Sequence, residues 1–128
     1  MMITKGFKRM LAEANAEIGA VSPVAAIEAL SSGEAVFVDV RESAEQATGT
    51  IPGAVAAPRG FLEFIADPEG PMHRPELVAG RPLIIYCASG GRSALAAKTL
   101  RDMGIANVSN LVGGIGAWKQ AGGPIEGA

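Results

Sequence analysis

The chain holds a single cysteine, Cys87, and a single histidine, His73. One cysteine cannot close an intramolecular disulfide, and with one histidine it cannot complete a zinc site. A lone cysteine is most often a small buried hydrophobe. The residues after this one point elsewhere. They run Cys87-Ala88-Ser89-Gly90-Gly91-Arg92-Ser93, small side chains with two glycines and a cation. Such a stretch can curl until its backbone N–H groups point at a common centre. A helix opening at Arg92 or Ser93 adds the positive end of its dipole. A sulfur atom at that centre is held as thiolate, and an anion bonded to it is held as well. Cys87 is therefore the candidate nucleophile, and Ala88, Ser89, Gly90, Gly91, Arg92 and Ser93 form the candidate substrate cradle. The thiol is expected to ionise below the ordinary cysteine value of about 8.5. A cysteine–histidine pair would require the loop carrying His73 to fold over the site, whereas amides, helix terminus and Arg92 need no such partner.

The elements around Cys87 must bring this loop to an open edge. Leu83-Ile84-Ile85-Tyr86, starting after Pro82, is the strongest strand and leaves Cys87 at its carboxyl end. Loops at that end are where open α/β sheets bind ligands. Residues 35–40, rich in β-branched side chains, read as a strand buried on both faces. Residues 54–57 and 107–112 read as shorter strands. Phe7, Met10, Leu11, Ala14 and Ile18 line one face of a helix over residues 4–17, expected to pack on the domain or a subunit neighbour. Ser22 caps a second helix with Pro23 at its first position and Gly33 at its end. Leu95, Thr99, Leu100 and Met103 share a face of a helix ending at Gly104, and residues 61–66 form a short helix. Residues 67–75 contain three prolines, a glycine and His73, which makes a stiff exposed loop expected to influence acceptor choice. Strands alternating with helices indicate an α/β fold with a mostly parallel sheet. Asp39 and Arg41 either steady the cysteine loop or form a structural ion pair or helix cap, and Trp118 belongs to the core.

With 128 residues, 19% charged and 48% hydrophobic, the chain fits one ordinary globular domain. A net charge of -2 gives no attraction to nucleic acid or anionic lipid. No apolar run is long enough to cross a bilayer, and Lys5, Lys8 and Arg9 interrupt any secretory signal. The first twelve residues are basic and amphipathic, but Glu13 and Glu17 follow and Ser and Arg are scarce, so the cytoplasm is expected rather than an organelle.

Three separated motifs resemble the rhodanese (thiosulfate sulfurtransferase) family, and the resemblance covers nearly all of residues 20–125. Phe37-Val38-Asp39-Val40-Arg41-Glu42 with Gly49-Thr50-Ile51-Pro52-Gly53-Ala54 is similar to its first motif, an acidic-basic turn followed by Gly-His-Ile-Pro-Gly-Ala. Tyr86-Cys87 with Gly90, Arg92 and Ser93 resembles the active loop. Leu111-Val112-Gly113-Gly114 with Ala117-Trp118, Ala121-Gly122 and Pro124 resembles the closing motif. The resemblance implies a rhodanese-like parallel sheet of about five strands flanked by helices over residues 20–125, and residues 1–19 stand before it as an N-terminal amphipathic helix extension. It implies a donor such as thiosulfate, a Cys87 persulfide, and cyanide, a thiol or a sulfur-accepting protein as acceptor. No cofactor or metal is implied, and ping-pong kinetics follow from the covalent intermediate. Thr50 stands where the family usually has histidine, and Gln46-Ala47 replaces an aromatic residue; both are expected to be structural variations.

Two other readings start from the same residues. Cysteine-loop phosphatases and arsenate reductases commonly place five residues between cysteine and arginine, and here there are four, a tighter ring that suits a single sulfur atom. A non-catalytic rhodanese-like interaction module typically loses the cysteine, and this chain keeps it.

Overall fold

In the computed structural model, which describes residues 1–127, the chain runs α1 (Phe7–Glu17), β1 (Gly19–Val21), α2 (Pro23–Ser32), β2 (Val36–Asp39), α3 (Ser43–Gln46), β3 (Val55–Ala56), α4 (Leu62–Ala66), β4 (Leu83–Tyr86), α5 (Gly91–Asp102), β5 (Val108–Leu111) and α6 (Gly114–Gln120). Single 3₁₀ turns cover Arg59–Phe61 and Pro75–Val78. The five strands form one sheet in the order β1-β5-β4-β2-β3, with every neighbouring pair parallel.

All four residues of β2 and of β4 are buried, because helices cover both faces of the sheet. Alternation then sorts their side chains into two layers. Val36, Val38, Leu83, Ile85 and Cys87 pack with Leu62, Ile65 and Leu100 of α4 and α5. Phe37, Ile84 and Tyr86 pack with Ala26, Ile115 and Trp118 of α2 and α6. Trp118 is fully buried, donates its indole N–H to the Pro124 carbonyl at 2.8 Å, and meets Phe37 edge-on at 5.5 Å.

The caps follow the sequence signals. Ser22 Oγ accepts from Ala25 N–H at 3.2 Å, Pro23 opens α2, and Gly33 closes it in the left-handed region. The amphipathic face of α1 is used only in part. Ala14 is buried and Leu11 and Ile18 are half-buried, while Phe7 and Met10 stay exposed. The helix lies on α5, and Glu17 reaches Lys98 at 3.5 Å. Three elements lie outside the sequence expectations: β1, three residues paired to β5; α3, a single turn; and α6, seven residues in the closing motif. No helix among the described residues is long and apolar enough to cross a membrane.

Candidate active site

Cys87 follows β4 directly, and its side chain points into the α4–α5 layer with 1% of the residue exposed. The chain then turns through Gly90, whose φ of 112° lies in the region that favours glycine. That turn aims the Gly90 N–H at the sulfur, 3.1 Å away. α5 opens at Gly91, one residue before the earliest expected start.

The cysteine loop is held from behind by the closing motif. The first turn of α6 donates Ile115 N–H to the Cys87 carbonyl at 2.9 Å and Gly116 N–H to the Ala88 carbonyl at 3.2 Å. With these carbonyls tied back, the N–H groups of the loop are free to face the sulfur. Gly114 permits the approach: a Cβ there would stand 2.5 Å from the Ala88 oxygen and 2.6 Å from the Cys87 oxygen. Asn110, on β5, ties the front of the loop. Its Nδ2 donates to the Gly90 carbonyl at 3.1 Å, and its Oδ1 accepts from Ser93 Oγ at 2.6 Å. Ser93 Oγ in turn lies 3.4 Å from Cys87 Sγ. Asn110 was not among the expected site residues; its polar side chain is buried in the sheet, which the run Val108-Ser109-Asn110-Leu111 does not announce.

These contacts decide the state of the thiol. Burial pushes the Cys87 pKa up, but the Ser93 hydroxyl and the backbone N–H groups of Ser93, Gly90 and Ser89 outweigh it and hold the thiol below its ordinary value. The direction matches the sequence expectation, while part of the cause differs. Arg92 is no free cation. Its Nη1 and Nη2 donate to the two carboxylate oxygens of Glu45 at 2.6 and 2.9 Å. Arg92 holds the Glu45 carboxyl down at about 2, and Glu45 in turn raises the Arg92 pKa, with a smaller contribution from Cys87.

Asp39 and Arg41 form a buried ion pair at 2.8 Å, both under 5% exposed. Arg41 Nη2 also donates to the Gly49 carbonyl at 2.7 Å, and its guanidinium lies 5.8 Å from the centre of the Tyr86 ring. The Tyr86 hydroxyl accepts from Ile51 N–H at 3.1 Å, and Gln46 donates to the Asp39 and Arg41 carbonyls, both at 3.1 Å. The pair thus fastens residues 41–51, which carry Glu45, to the sheet. Thr50 pairs through its backbone with Glu126 at 2.9 Å in both directions.

The loop of residues 67–75 lies elsewhere. α5 leads away from Cys87, and beyond its end Met103 and Ile105 line a hollow with Ala66, Asp67, Pro68 and Val78. A helix of that length spans about 18 Å, so the loop sits at the opposite end of the sheet. His73 bonds locally, its Nδ1 lying 3.2 Å from the Ile65 carbonyl. The expectation that this loop influences acceptor choice loses its basis, because its prolines stiffen a segment far from the sulfur. Among the described residues, no three His, Cys, Asp or Glu side chains come together to hold a metal ion.

The family model of the rhodanese-like domain matches residues 22–121. A sulfurtransferase of Allochromatium vinosum is 38% identical over 92 residues, covering 72% of this chain and 78% of that protein. The human thiosulfate:glutathione sulfurtransferase is 33% identical over 97 residues, covering 71% and 84%. A solved structure from Rhodopseudomonas palustris superposes with a TM-score of 0.92 at 46% identity over 98% of both chains. That protein is of unknown function and is described as a possible tyrosine phosphatase.

Proposed function

Because the chain belongs to the rhodanese-like domain family, we propose that it is a sulfurtransferase that carries a sulfane sulfur as a persulfide on Cys87. The donor is thiosulfate or a persulfide, and the acceptor is cyanide, a small thiol or a protein thiol. Residues 20–125 are the working domain, and residues 1–19 are an extension packed through α1 on α5. The single observation that carries this reading is the convergence of the Ser93 hydroxyl and the Gly90 N–H on one buried sulfur.

In the first half-reaction the Cys87 thiolate attacks the outer sulfur of thiosulfate. A new S–S bond forms to Cys87, the old S–S bond breaks, and sulfite leaves with its electron pair. The product is a persulfide anion, and the total charge is unchanged. In the second half-reaction an acceptor thiolate or cyanide attacks the terminal sulfur, giving the acceptor's persulfide anion or thiocyanate and restoring the Cys87 thiolate. The N–H groups and the Ser93 hydroxyl that lower the thiol pKa support the reading by keeping the sulfur nucleophilic. The chemistry needs a reduced thiol, which suits the cytoplasm.

The phosphatase alternative is carried by the description of the R. palustris protein. It asks for a guanidinium free to meet phosphoryl oxygens, and Arg92 is bound to Glu45. The test is Cys87→Ser, assayed for thiocyanate formation alongside aryl phosphate hydrolysis by the parent. The substitution should abolish sulfur transfer with the fold intact. Faster phosphate hydrolysis than thiosulfate turnover by the parent would decide for the phosphatase.

A further inference from the structure

Three arginines follow β2, β3 and β4 at the carboxyl edge, and each has its own carboxylate. Arg41 meets Asp39 at 2.8 Å, Arg59 meets Glu63 at 3.2 Å, and Arg92 meets Glu45 at 2.6 Å. Only Arg92 belongs to the cysteine loop. The bidentate contact occupies both of its terminal nitrogens and bridges α3 to α5. Glu45 is also fixed from its own side. Its Oε1 accepts from Glu42 N–H at 3.0 Å, as the third residue of a capping box. The two side chains remain 36% and 40% exposed, so solutes reach the pair from solvent.

Resting on the sulfurtransferase reading, we propose that Glu45 sets the choice of sulfur donor by withholding the Arg92 guanidinium from sulfonate groups, so that hydropersulfides or polysulfides are preferred over thiosulfate. Thiosulfate brings two negative charges, carried largely by sulfonate oxygens. It must either displace a bidentate carboxylate or bind beside it and be repelled. A hydropersulfide or polysulfide presents a sulfur chain end, which the N–H groups of the loop accept without Arg92. Because Glu45 stays ionised far below neutral pH, the preference does not change across the neutral range.

The test uses thiosulfate as probe and the full chain carrying Cys87→Ser, so that binding is read without transfer. Glu45→Gln removes the charge and keeps the amide oxygen that accepts from Glu42 N–H; Glu45→Ala takes its place if that variant fails to fold. Calorimetric titration at low ionic strength should show thiosulfate binding about fivefold tighter when Glu45 is neutralised. In the Cys87 protein the same substitution should lower KM for thiosulfate by a similar factor and leave KM for a small hydropersulfide no lower. Thiosulfate binding that is unchanged or weaker overturns the role of Glu45. A parent that loads sulfur from neither donor overturns the sulfurtransferase reading instead, and the binding comparison still decides the role of Glu45.

Discussion

Ser93 Oγ lies 3.4 Å from the sulfur of Cys87. Its second contact is to Asn110 Oδ1 at 2.6 Å, so two acceptors compete for one hydroxyl. Asn110 cannot turn its amide round, because Nδ2 is bound to the Gly90 carbonyl. With one proton and two acceptors, the hydroxyl can donate to only one of Oδ1 and the sulfur at a time.

Ser93→Ala should raise the midpoint of Cys87 alkylation against pH by about one unit, the worth of a hydrogen bond to a charged group. Arg92→Ala should raise it less, because Glu45 already offsets the guanidinium charge. In the parent the midpoint should lie below the ordinary cysteine value, because the hydrogen bonds to the sulfur outweigh burial. An Arg92→Ala shift larger than that of Ser93→Ala would show that the guanidinium, not the hydroxyl, controls the thiol.

Gly114→Ala should uncouple α6 from the cysteine loop. Its Cβ would collide with the Ala88 and Cys87 carbonyls, and its φ of 61° is strained for any L side chain. Gly122→Ala is the control, with a φ of 85° and nothing within 4 Å. Both variants should lose about 1–2 kcal/mol from the backbone conformation. Only Gly114→Ala should also slow alkylation of Cys87. Equal rates in the two variants would contradict the support assigned to the α6 turn.

Arg41→Ala should destabilise the fold by about 3–5 kcal/mol, since it strands the buried Asp39 carboxylate. It also removes the bond to the Gly49 carbonyl. Denaturant unfolding measures the loss. A value below about 1 kcal/mol, the range of surface pairs, would mean that the pair does not fasten residues 41–51 to the sheet.

The parts of this arrangement that depend on neighbours in sequence were legible there. Ser22 with Pro23, the apolar runs of β2 and β4, and the small residues after Cys87 each act within a few positions. The parts built by distant segments were not. Glu45 meets Arg92 across 47 residues, and Asn110 reaches Ser93 across 17, with no local pattern announcing either contact. β1 is a three-residue edge strand whose existence depends on β5, and no periodicity shows in so short a run. The loop of residues 67–75 shows the converse. Its composition is distinctive, but composition does not say at which end of a sheet a loop lies.

Intact mass of the full chain after exposure to thiosulfate, and in parallel to a small hydropersulfide, tests the central claim most directly. The persulfide account predicts a gain of one sulfur atom, removed by a reductant and absent from Cys87→Ser. A chain that gains no mass from either donor, or that gains it equally without Cys87, would contradict the account.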